Sequence, residues 1–87
     1  MNRHVLLVED EPNIVEAIHF LLTREGWQVD CHPDGLDAVE KVQKFKPDLL
    51  ILDLMLPGKS GLEILLELRE ISEFENLPVL MLTARGQ

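Results

Sequence analysis

Three short runs of unbroken apolar residues, Val5-Leu6-Leu7-Val8, Leu49-Leu50-Ile51-Leu52 and Val79-Leu80-Met81-Leu82, constrain this chain more than any other feature. A strand packed on one face alternates apolar and polar residues, whereas a strand covered on both faces reads as a continuous hydrophobic run. Each run is therefore predicted to be a strand of the kind covered on both faces. They give β1 over His4–Val8, β3 over Leu49–Leu52 and β4 over Val79–Leu82.

The segments between them carry a helical period. Glu9-Asp10-Glu11-Pro12 offers an acidic cap and a proline near a first turn, and Ile14, Ile18, Leu21 and Leu22 follow at helical spacing until Gly26. Trp27–His32 reads as a weaker strand, β2, closed by Pro33-Asp34-Gly35. Leu36, Val39 and Val42 mark a short helix that Lys46-Pro47-Asp48 breaks, and Ile64, Leu65, Leu68 and Ile71 mark a third helix after the loop Pro57–Gly61. Strands alternating with helices through short connections give parallel βαβ units with right-handed crossovers. The expected class is α/β, a doubly wound parallel sheet, and 87 residues accommodate it as one domain, 1–87. No internal repeat, linker or low-complexity stretch interrupts it.

Composition narrows the function classes. With 46% hydrophobic and 28% charged residues the chain reads as globular. No apolar run approaches the roughly 20 residues of a bilayer span, so no membrane partner is expected. The opening Met1-Asn2-Arg3-His4 carries no secretory signal, and a cytoplasmic location is the expectation. A net charge of −8 opposes a phosphate backbone, so this segment is not expected to bind DNA directly. The single cysteine, Cys31, excludes an internal disulfide and reads as core filler. His4, His19 and His32 lack metal-ligand spacing, and Trp27 reads as packing at the start of β2.

The informative chemistry lies at the ends of the strands. In open parallel sheets ligands gather beyond the carboxyl ends of the strands, where this sequence places Glu9 and Asp10 after β1, Asp53 after β3 and Thr83 after β4. Singly, each has an ordinary reading: an acidic helix cap, a turn-forming Asp, a solvated Thr. Together they form a constellation. Three carboxylates at one edge repel one another, so either some are protonated or a cation holds them. All-oxygen donors suit a hard ion, Mg²⁺ rather than Zn²⁺. Asp53 can then act as a nucleophile on phosphorus, with the Thr83 hydroxyl and the Ala84 backbone N–H available to the phosphoryl group.

Three segments carry a resemblance. Val8-Glu9-Asp10-Glu11, Leu52–Gly61 and Leu80-Met81-Leu82-Thr83-Ala84-Arg85-Gly86 resemble, in order and spacing, the signature segments of response regulator receiver domains of two-component signalling. The resemblance implies a flavodoxin-like receiver fold with strand order 2-1-3-4. It implies Asp53 as phosphoacceptor, Mg²⁺ at Asp10, Asp53 and the backbone carbonyl of Met55 with Glu9 helping through the ion's water shell, and Thr83 as the switch hydroxyl. The implied partner is a sensor histidine kinase, and the chain would be a signalling phosphoacceptor, not an enzyme with a separate substrate. Met55–Gly58 and Leu82–Gly86 most resemble the OmpR/PhoB winged-helix subfamily, which implies control of transcription through an effector domain.

The same resemblance carries a fifth strand, a lysine at its start that contacts the phosphoryl group, and last helices, none of which these 87 residues supply. The expectation is an incomplete receiver, with Lys59 a weak substitute for that lysine. One face of the sheet would be covered by α1 alone and β4 would be an open edge, which leads to the expectation of a homodimer or an oligomer that exchanges elements. A module working by protein contact without phosphorylation is the competing reading. A haloacid dehalogenase-type hydrolase is excluded by Met55, where that chemistry needs a second carboxylate, and Glu9–Glu11 lacks the alternating ligands of an EF-hand.

Overall fold

The computed structural model of the chain describes residues 3–82. The elements run β1 (Arg3–Val8), α1 (Pro12–Arg24), β2 (Trp27–His32), α2 (Ala38–Phe45), β3 (Leu49–Asp53), α3 (Gly61–Arg69), a 3-10 turn (Ser72–Phe74) and β4 (Val79–Leu82). All four strands pair in parallel in the order β2-β1-β3-β4. This is the doubly wound arrangement the sequence pattern implies, and its order matches the receiver fold.

The apolar runs of β1 and β3 sit where their lack of alternation requires, and that of β4 does not. Val5, Leu6, Leu7 and Val8 are all fully buried, as are Leu50 and Leu52. Successive side chains of a strand point to opposite faces, so β1 and β3 feed two cores. Leu6, Val8, Leu50 and Leu52 pack with Ala38 and Val42 of α2 and Ile64 and Leu68 of α3. On the other face Val5, Leu7 and Ile51 pack against Val15, Ile18 and Leu22 of α1 and against Trp27 and Val29. The fourth strand is less enclosed. It is an edge of the described sheet, and Leu80 in its middle is 53% exposed.

Local chemistry fixes the helix ends. Glu11 is the N-cap of α1, accepting the N–H groups of Asn13 and Ile14, and Pro12 occupies the first turn, where its missing N–H costs nothing. Ser60 opens α3 with a reciprocal capping box to Glu63. Lys46 ends α2 in the left-handed region, φ 48°, before Pro47.

Four details differ from the sequence reading. Leu36 is not part of α2; it lies in the preceding loop and is exposed, because the helix starts only at Ala38. Ile71 falls beyond the end of α3, yet still packs on the core through the following 3-10 turn. Asp53 is the last residue of β3, paired opposite Leu82, rather than the first residue after it. Cys31 is exposed on the edge strand β2 and is not core filler; partial burial and the neighbouring Asp30 carboxylate hold its thiol pKa above the ordinary value.

Because Leu68 bridges α3 to the strands at zero exposure, Leu68→Ala should cost about 2–5 kcal/mol, a large part of the roughly 5–15 kcal/mol that holds a domain together. Urea unfolding followed by circular dichroism reads this directly. An unchanged midpoint would show that the α3 face of the core carries little of the stability.

Candidate functional site

The register of the central strands builds the site. Val8 pairs with Leu52, so one step further along each parallel strand stand Glu9 and Asp53. By the two-residue alternation both continue the row of Val5, Leu7 and Ile51, on the α1 side of the sheet. An N–H···O bond from Glu9 to the His32 carbonyl, 3.0 Å, extends the pairing of β1 with β2 past the end of the strand and fixes the Glu9 backbone.

Glu9, Asp10 and Asp53 each offer a carboxylate oxygen, and these atoms all lie within 4.8 Å of one another. Glu9 and Asp53 are each only 1% exposed, the two buried acidic residues among those described, and Asp10 is the more open of the three. The neighbouring loop shapes their geometry. Glu9 Oε2 accepts the Glu11 N–H at 3.0 Å, and Asp53 Oδ1 accepts the Met55 N–H at 3.2 Å. The acidic run 9–11 thus divides its labour: Glu11 caps α1, while Glu9 and Asp10 face Asp53. The cap reading and the metal reading of this run are compatible, since different residues carry them.

The donor set fits a hard divalent cation. It is all oxygen, it converges within a few ångströms, and burying like charges together is costly unless an opposite charge offsets them. Asp10, being more open, leaves room for the waters that Mg²⁺ retains. Met55 follows Asp53 by two residues with its side chain 62% exposed, so the backbone of this residue is what the site can use. Thr83 and Ala84 lie outside the described residues. Lys59, the candidate substitute cation, is instead engaged with α3, its Nζ 2.5 Å from Glu67 Oε1.

Residues the sequence reading gave no role support the loop after β3 and the strands beside it. Gly61 sits so close to the end of β3 that a Cβ there would fall 2.3 Å from the Asp53 carbonyl oxygen. His32 pairs with Asp37, a hydrogen bond that holds the Asp37 carboxyl below the usual carboxylate range, and His4 pairs with Asp30. The Pro57-Gly58 and Gly61 turn signal was legible in the sequence; the histidine pairs were not, because their partners are 26 and 5 positions away.

The family model for the response regulator receiver domain matches residues 5–87. Solved structures agree. A response regulator from Chloroflexus aurantiacus is 32% identical with a TM-score of 0.93, covering 100% of this chain and 71% of its own. The chemotaxis response regulator CheY4 of Vibrio cholerae is 31% identical with a TM-score of 0.91, covering 100% of this chain and 72% of its own. The receiver domain of the sensor histidine kinase PA1611 from Pseudomonas aeruginosa is 29% identical with a TM-score of 0.90, covering 98% of this chain and 70% of its own, and holds a magnesium ion coordinated in its active-site cleft. This chain belongs to the response regulator receiver domain family.

Titrating Mg²⁺ while following backbone amide resonances should move residues 9–11 and 53–56 first and together. Shifts confined to surface acids such as Glu40 or Glu70 would remove the cluster from consideration as a metal centre.

Proposed function

We propose that this chain is a phosphoacceptor receiver of two-component signalling, in which Asp53 takes a phosphoryl group from a sensor histidine kinase. The observation that carries this reading is the buried Asp53 carboxylate at the end of a central strand, within 4.8 Å of two further carboxylates on the neighbouring strand end. Glu9, Asp10, Asp53 and the Met55 carbonyl would hold Mg²⁺. When bound, the ion offsets charge between the carboxylate and the phosphoryl oxygens of an in-line displacement.

The chain's own residues do the rest. The Met55 N–H on Asp53 Oδ1 orients the carboxylate. An Asp53 oxygen attacks phosphorus, the P–N bond of a phosphohistidine breaks, and its electron pair stays on the imidazole nitrogen. The Thr83 hydroxyl and the Ala84 N–H receive the phosphoryl oxygens, and the aspartyl phosphate biases a conformational equilibrium that an effector reads. The chain catalyses only its own phosphorylation and dephosphorylation. Its segments at 55–58 and 82–86 favour an effector of the OmpR/PhoB winged-helix type, acting in the cytoplasm on transcription, with DNA contacted through that effector and not through this acidic segment. No helix among the described residues is long and apolar enough to cross a membrane.

A small-molecule phosphoramidate with Mg²⁺ should leave a hydroxylamine-labile adduct on Asp53. Asp53→Asn should abolish it in a full-length protein, whereas Thr83→Ala should keep acceptance and weaken output. Wild-type labelling of the Asp53→Asn protein by a kinase would overturn the assignment; no adduct on the wild-type protein would favour a module that works by contact alone.

We further propose that the 87-residue chain forms a homodimer or an oligomer that exchanges elements. Leu80 on the edge strand and Phe20 and Leu21 on α1 are all more than half exposed, and a flat apolar edge strand is a template for pairing. Light scattering over a dilution series should show mass above the monomer; a compact, cooperatively melting monomer at every concentration would refute this.

A further inference from the structure

The loop that follows Asp53 is clamped at its apex by a turn from elsewhere in the chain, and that turn contains a glycine with no room for a side chain. Gly35 is buried, and its N–H donates to the Pro57 carbonyl at 3.1 Å. A Cβ on Gly35 would lie 2.0 Å from the Lys59 carbonyl oxygen, 3.0 Å from the Lys59 carbonyl carbon and 3.2 Å from its nitrogen. All three are backbone atoms, so no side-chain rotation can relieve the clash. Gly35 does not have a positive φ; what it supplies is space.

The contact is reciprocal. Gly58 adopts φ 85°, and a Cβ there would fall 2.6 Å from Leu36 Cγ and 3.0 Å from Asp34 Oδ1. Asp34 Oδ1 in turn accepts the Leu36 N–H at 2.7 Å, which shapes the turn that meets the loop. The Pro57 carbonyl accepts a second N–H, from Lys59 at 3.0 Å, so one oxygen ties the loop both to itself and to Gly35. At the other end the loop is seated by Gly61, whose N–H donates to the Leu54 carbonyl at 3.2 Å. Between these two anchors lies Met55, whose N–H holds Asp53 Oδ1.

We infer that Gly35, with the Asp34–Leu36 turn, is the positioning residue for the loop after Asp53, setting the Met55 peptide and through it the Asp53 carboxylate. The inference rests on the phosphoacceptor reading above and adds to it a control point on a different βα connection. Restoring ordinary contact distance at Gly35 requires the Lys59 carbonyl to move about an ångström, whereas a binding constellation tolerates roughly 0.5 Å. Partners behind a ligand shell commonly change metal affinity by about 10- to 100-fold when altered.

Two readouts test it on the 87-residue chain: exchange of the Met55 amide in the metal-free protein, and the Mg²⁺ dissociation constant from amide shifts. Gly35→Ala should speed Met55 exchange and weaken Mg²⁺ by about tenfold or more. Gly26→Ala is the control for lost stability alone, since Gly26 has φ 93° and open space around it, far from the loop; it should lower the melting temperature and leave both readouts unchanged. Should Gly35→Ala fail to fold, Asp34→Ala removes only the acceptor for Leu36, and Asp34→Asn, which keeps an oxygen there, should restore Met55 protection. Unchanged Met55 exchange and Mg²⁺ affinity in Gly35→Ala, or equal losses in Gly26→Ala, would overturn the inference. A wild-type chain that does not bind Mg²⁺ would instead overturn the metal reading, and Met55 exchange would still decide whether Gly35 positions the loop.

Discussion

The adjacency of two strands that are buried on both faces is the constraint on which the rest depends. Burying β1 and β3 completely removes from water the apolar surface that offsets the entropy of ordering so short a chain. Fully buried parallel strands must pair in register, because each unpaired backbone group in that interior would cost about 1–3 kcal/mol. The pairing of Val8 with Leu52 then decides where each strand emerges. Glu9 and Asp53 are the first residues past the apolar runs on neighbouring strands, so packing and register bring two carboxyl groups together.

The surrounding architecture holds that juxtaposition in place. The acidic run 9–11 contributes both a helix cap and two members of the cluster, coupling the start of α1 to the site. On the opposite side, Gly61 lets α3 begin directly over the Asp53 carbonyl, and the capping box of Ser60 with Glu63 fixes the direction in which it leaves. The β1–α1 connection therefore meets Asp53 itself, and the β2–α2 connection meets the β3–α3 loop that follows it. Close approach of backbone to backbone is what permits this, and it is why glycines stand at 35 and 61.

The polar periphery follows a different logic. His4 with Asp30 and His32 with Asp37 place imidazole–carboxylate pairs along the α2 side of β2, and the His4 ring meets Phe45 edge-on. Edge strand β2 thus packs with a mixed surface, in keeping with a sequence that reads as the weakest of the four strands. Cys31 lies on the α1 side of β2 and is exposed there because α1 covers that end of the edge strand only in part.

The sequence by itself determined the alternation of strands and helices, the buried character of β1 and β3, and the acidic residues that end those runs. These are local properties: unbroken hydrophobicity, a 3.6-residue period and turn chemistry are written in adjacent residues. It misjudged Leu36 and Cys31, because apolar character states that a residue favours burial but not whether a partner reaches it; Ile71 does pack on the core, but from beyond the end of α3. The strand order came from the resemblance and not from the pattern, since hydrophobic burial is non-directional and does not choose a neighbour. Only the tertiary structure decided that Gly35 lies against Lys59, that Lys59 turns to Glu67 and that His4 finds Asp30. The first and last of these join segments remote in the chain, and all three depend on distances that register and packing set and that no local pattern encodes.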